Sequence, residues 1–104
     1  MLDRGQMYGD GFFETMLMIN GKVALIHLHH ERILKTAHKL KLILTEELLD
    51  LTNFEILLRE FNTSGHAVRI RLNIIRNGNG FYLPQYNTAT YNFNVQPAVN
   101  PLNQ

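Results

Sequence analysis

From His66 to Arg76 apolar and polar residues alternate. Val68, Ile70, Leu72 and Ile74 take one parity; Arg69, Arg71 and Asn73 take the other. Period-two alternation predicts a strand with one face on a core. Phe12 to Ile19 predicts a second strand. Here Phe12, Met16 and Met18 share parity with Glu14, while Phe13, Leu17 and Ile19 share parity with Thr15. Bulky apolar groups on both parities predict that both faces are covered, so Glu14 and Thr15 must find partners there. Asn20-Gly21 predicts a two-residue hairpin, because both residue types tolerate positive φ. Lys22 to Ile26 is the returning strand, and Ala89 to Gln96 is a further one with Tyr91, Phe93 and Val95 on one side.

Between these strands the period changes. Ile33, Leu34, Ala37 and Leu40 recur at helical spacing within His27 to Leu42. A second helix is expected from Thr45 as N-cap, with Glu46 and Glu47 in its first turn. Leu51, Phe54, Leu58 and Phe61 form its apolar stripe, and Gly65 ends it. The order predicts an α+β domain: an antiparallel sheet with two helices packed on one face. The domain is expected over residues 1–96. Pro97, Pro101 and the Asn-rich end read as the start of a linker over 97–104.

Composition narrows the function classes. In 104 residues, 45% are apolar and 18% charged, which suits one folded domain and argues against disorder. A formal net charge of +1 supplies no overall field for nucleic acid or an anionic membrane. Without cysteine there is neither a disulfide framework nor a thiolate metal site. The apolar runs are too short to span a bilayer, and no secretory leader opens the chain. A cytoplasmic location is expected.

Several residues could carry chemistry. By parity Arg76 falls on the apolar face beside the glycine loop Asn77 to Gly80. Either it meets an anion at a pocket mouth, or the strand ends one residue early and Arg76 is solvated. Arg32 lies just off the apolar stripe of the first helix. It is either a phosphate-gripping guanidinium or an ordinary surface arginine. His27, His29 and His30 do not set up a metal site, since i and i+2 do not share a helix face and no third ligand is evident. Arg69, Arg71 and Asn73 could track a nucleic-acid backbone. Without interleaved aromatics, a solvent or dimer face is the better expectation.

The run Asp3-Arg4-Gly5, then Tyr8-Gly9-Asp10-Gly11-Phe12-Phe13-Glu14-Thr15, then Asn20-Gly21-Lys22, then His29 three residues before Arg32, resembles the start of the class IV aminotransferases. These fold-type IV pyridoxal-phosphate enzymes include branched-chain and D-amino-acid aminotransferases and aminodeoxychorismate lyase. The resemblance covers the small N-terminal domain. It implies a pyridoxal 5'-phosphate cofactor whose phosphate is bound by Arg32. It places Tyr8, Phe13, Thr15 and Arg76 around the amino-carboxylate substrate. It also implies a homodimer and a covalent cofactor lysine in a C-terminal domain, since none of Lys22, Lys35, Lys39 and Lys41 matches that lysine. Phe81 stands where the D-amino-acid enzymes and the lyases often carry a second arginine, and Leu17 where some branched-chain enzymes carry one, so neither specificity is assigned; transamination and elimination both stay open. By itself the chain is expected to be inactive. The alternative is a stand-alone ligand-binding or assembly module.

Overall fold

The computed structural model describes residues 11–62, 66–77 and 87–98. Strands β1 (Gly11–Ile19), β2 (Lys22–Val23), β3 (Ala67–Arg76) and β4 (Ala89–Ala98) form one antiparallel sheet in the order β2-β1-β3-β4. Helices α1 (Ile26–Lys39), α2 (Glu46–Leu49) and α3 (Leu51–Leu58) supply the other layer. This is the expected α+β architecture, with three helices where two are expected.

The hairpin forms as its sequence predicts. Asn20 and Gly21 both take positive φ, 53° and 78°. The returning strand is only Lys22–Val23, because Leu25 enters the left-handed region at φ 56° and turns the chain into α1. That conformation strains a leucine by about 1–2 kcal/mol. Leu25 is exposed, so its side chain recovers little by packing. We expect Leu25→Gly to raise stability by about 0.5–1 kcal/mol, the strain relieved less the glycine entropy cost. A urea melt reads it directly, and a loss of stability would show that Leu25 is held by contacts after all.

Helix α1 stops at Lys39, short of the expected Leu42, in a Schellman arrangement. Lys41 takes φ 58°, its N–H meets the His38 carbonyl, and the Leu42 N–H meets the Ala37 carbonyl. A lysine in the usual glycine place hides this stop from the sequence. The expected second helix is broken instead at Asp50, which caps α3 by accepting from the Asn53 N–H at 3.1 Å. It ends at Leu58 in a 3-10 turn, Arg59–Phe61. The expected stop at Gly65 lies outside the described residues.

The core lies between sheet and helices. Met16 and Met18 of β1 and Val68, Ile70, Leu72 and Ile74 of β3 are buried there against Ile33, Ala37, Leu48, Phe54 and Leu58. β3 thus obeys its alternation. β1 corrects the expectation of two covered faces: among the described residues Phe13 is 55% exposed and Thr15 is open as well. Strand β4 runs on through Pro97 and Ala98, which pair with Val68 and Ala67, two residues past Gln96. Proline is tolerated there because β4 is an edge strand. Ile43 meets the start of β4, accepting from the Ala89 N–H at 2.9 Å and donating to the Asn87 carbonyl at 2.8 Å. No helix of the described residues is long and apolar enough to cross a membrane.

Candidate functional site

Glu14 sits in β1 between Phe13 and Thr15 and faces the helices, as its parity dictates. It is 7% exposed among apolar neighbours, so its charge needs partners. They come from α1, where His29 and Arg32, three residues apart, share a face. One oxygen, Oε2, accepts from His29 Nδ1, from Arg32 Nε at 3.1 Å and from Arg32 Nη2 at 2.8 Å. An ionised carboxylate only accepts, so the His29 proton sits on Nδ1.

Arg32 is therefore held on one side and open on the other. Nε and Nη2 are tethered, while the side chain remains 63% exposed. Nη1 has no hydrogen-bond partner among the described residues. The guanidinium faces a shallow groove of about 610 Å³ along α1, shared with Leu25, Leu28, His29, Lys35 and Lys39. Lys35 pairs with Glu31 at 2.8 Å, one helical turn away. The groove carries Arg32, Lys35 and Lys39 against Glu31, with an apolar end at Leu25 and Leu28. The charge and the tethered guanidinium suit an anion.

Phe13 and Thr15 lie on the opposite, open face of the sheet, with the Arg71 guanidinium 3.9 Å from the Phe13 ring centre. Arg76 is buried at the end of β3, which excludes the alternative of a solvated residue beyond the strand. Its Nη2 donates to the Leu40 carbonyl and its Nη1 to Asn87 Oδ1, each at 2.7 Å. Tyr8 lies outside the described residues. Of the expected site residues, then, the structure puts Arg32 on one side of the sheet, Phe13 and Thr15 on the other, and Arg76 near the far end of α1.

The helix-start histidines differ in role. His30 is buried, its Nε2 bonded to the Leu48 carbonyl at 2.8 Å and its ring 5.3 Å from Phe54. Three positions before Ile33, it falls on the buried stripe. The sequence marks Glu14 as a group that must find partners but does not name them, and it gives His29 no role beyond its place in the resemblance. The signal was present in the parity of Glu14 and the His29-x-x-Arg32 spacing. Their convergence on one oxygen needed the helix placed over the sheet.

The family model described as amino-transferase class IV matches residues 11–104. The chain is 28% identical over 90 residues to the D-alanine aminotransferases of Staphylococcus aureus strains N315 and COL. The match covers 84% of this chain and 32% of each relative, so the chain spans about a third of the length of the curated relatives it matches. The D-alanine aminotransferase of strain MSSA476 matches over the same share. With the family model covering most of its length, and with the small-domain fold in place, the chain belongs to the class IV aminotransferase family.

Proposed function

We propose that this chain forms the cofactor-phosphate clamp and one pocket wall of a pyridoxal-phosphate-dependent aminotransferase acting on amino-carboxylate substrates. The observation that carries this reading is the exposed Arg32 guanidinium, tethered through two nitrogens to a buried Glu14. A phosphate monoester fits that donor set. It is a dianion with several acceptor oxygens, and Arg32 offers a fixed, partly unused fork of N–H groups. Glu14 lowers the entropy lost when Arg32 binds, because the side chain is already placed. His29 adds a third donor to Glu14 and keeps the carboxylate turned toward Arg32. Bound there, pyridoxal phosphate would supply the electron sink for moving an amino group. Phe13 and Thr15, on the face of the sheet away from Arg32, would form a wall of the substrate pocket in the assembled enzyme. The chain would be inactive alone, because it contributes only part of the site. D-alanine is the first substrate to try, since the similar Staphylococcus aureus proteins carry that activity in their names.

The test compares this chain with the product of the longest reading frame that contains it. Each is mixed with pyridoxal phosphate, followed by visible absorption, reduced with borohydride and mapped by mass spectrometry. Specific trapping only in the longer protein, on a lysine outside this chain, is expected. If neither species traps the cofactor specifically, the enzyme reading fails and a stand-alone binding module takes its place.

A further inference from the structure

Strand β4 pairs with β3 on one side only. The hydrogen bonds at its start fix which groups face outward. The Thr88 carbonyl accepts from the Asn77 N–H at 2.8 Å, on the β3 side. The Ala89 N–H donates to the Ile43 carbonyl at 2.9 Å, on the other side. Backbone groups alternate sides along an antiparallel strand, and the register runs without a bulge from Ala89 to Ala98. Tyr91, Phe93 and Val95 therefore turn their N–H and C=O groups outward. Pro97 follows at the same parity, where β3 needs no N–H. Ile43 covers this edge at Asn87 and Ala89; beyond it no backbone group bonds to the edge among the described residues. Proteins ordinarily blunt such an edge with charge. From Ala89 to Ala98 β4 carries no charged residue.

We infer that this edge receives an extended segment of another polypeptide as an added strand, apolar at alternate positions and basic toward one end. The side chains beside the edge set that chemistry. Tyr91, Phe93 and Val95 lie opposite Ile74, Leu72 and Ile70, so they stand on the helix side. The Phe93 ring meets Phe61 at 4.9 Å and Tyr91 at 5.6 Å, and Val95 is 39% exposed. These groups form an apolar shelf that runs out to the edge. An added strand lies about 4.8 Å from β4 and sets every second side chain over the shelf. Its other side chains join the polar row of Thr90, Asn92, Asn94 and Gln96, where Asn92 and Asn94 accept from Asn73 Nδ2 at 3.0 and 2.8 Å. The charge beside the shelf is acidic. Residues 46–60 carry Glu46, Glu47, Asp50, Glu55 and Glu60, with Arg59 as the single cation. The Tyr91 hydroxyl is pushed above its ordinary range by partial burial and by the Glu47 and Glu60 carboxylates beside it. Neither carboxylate has an ion-pair partner among the described residues. A lysine or arginine on the incoming strand would supply one. A second copy of this chain fits less well. Antiparallel pairing of two β4 strands keeps each sheet face on its own side, so both copies' Glu47 and Glu60 would gather there and repel. None of these groups belongs to the phosphate clamp, so a partner strand and a cofactor can be tested apart.

The probe is the peptide Lys-Thr-Lys-Thr-Val-Thr-Val, blocked at both ends and titrated into this chain while NMR follows amide hydrogen exchange. It should bind saturably and slow exchange at Tyr91, Phe93 and Val95 by about tenfold or more. Thr90, Asn92 and Asn94, whose N–H groups face β3, should be protected with or without it. Replacing both lysines by glutamate should weaken binding by about tenfold, the worth of two partly shielded ion pairs. Val95→Pro removes an outward N–H that β3 does not use, and should also weaken binding by about tenfold. Glu47→Gln combined with Glu60→Gln leaves the backbone untouched and should abolish the preference for lysine, which keeps the test decisive if Val95→Pro does not fold. Binding that never saturates, equal affinity for the two peptides, or protection that spares Tyr91, Phe93 and Val95 overturns the assignment. So does protection of those three amides in the free chain together with a dimer in sedimentation, which would give the edge to a second copy.

Discussion

Replacing Arg32 by alanine in the longer protein is expected to weaken retention of pyridoxal phosphate by roughly 30- to 150-fold. The figure follows from losing about 2–3 kcal/mol of charge-assisted hydrogen bonding to a phosphate. Absorbance after dialysis against falling cofactor concentrations measures it. Unchanged retention would remove Arg32 from the phosphate site. The same substitution should also cost folding stability, about 1–3 kcal/mol, because it strips two of the three donors from the buried Glu14 carboxylate.

Glu14 separates a clamp from a loose cation. Glu14→Gln keeps the shape but loses the charge that gathers His29 and Arg32. It should weaken retention by roughly threefold to tenfold while Arg32 is present, the entropy of an untethered side chain. In the Arg32→Ala background it should have no further effect, so the two changes will not add. Additive effects would mean that Glu14 acts on the cofactor by some other route. His29→Ala offers a milder version of the same experiment.

Phe54→Ala should be the most damaging single change to the fold, costing about 3–5 kcal/mol. Phe54 is 0% exposed and belongs to α3. It packs against the His30 ring of α1, whose Nε2 is bonded to the Leu48 carbonyl of α2. Truncation would leave a cavity where the three helices meet and loosen the ring that ties α1 to α2. A domain of this size has about 5–15 kcal/mol in total, so the variant would be marginal at body temperature. Ile56→Ala in the same helix is the control. Ile56 is 52% exposed, and its truncation should stay within about 0.5 kcal/mol. Urea denaturation of both variants provides the comparison. A Phe54→Ala loss below about 1.5 kcal/mol would show that α3 is not part of the cooperative core.

The strands and the hairpin were legible because their signals are local. Alternation in β3 needs only neighbouring residues to be read, and Asn20-Gly21 carries its own turn geometry. The helix ends were less legible. Lys41 takes the left-handed conformation without the glycine that advertises it, and Asp50 restarts a helix in mid-stripe. In both places buried contacts on either side of the break, at Leu42, Leu44 and Leu48, outweigh local propensity.

The sequence by itself determined the fold class and the family resemblance, and it nominated Arg32 for the phosphate. It also marked Glu14 and Arg76 as charges on an apolar parity, because parity is a property of the chain alone. Only the tertiary structure decided where those charges go. The packing of α1 over β1 sends Glu14 to His29 and Arg32. The end of β3 lying beside the last turn of α1 sends Arg76 to the Leu40 carbonyl. Pairing of β1, β3 and β4 brings Phe13, Arg71, Asn73, Asn92 and Asn94 together across as many as 81 sequence positions. Such contacts depend on strand order and register, which are set by burying a whole face at once.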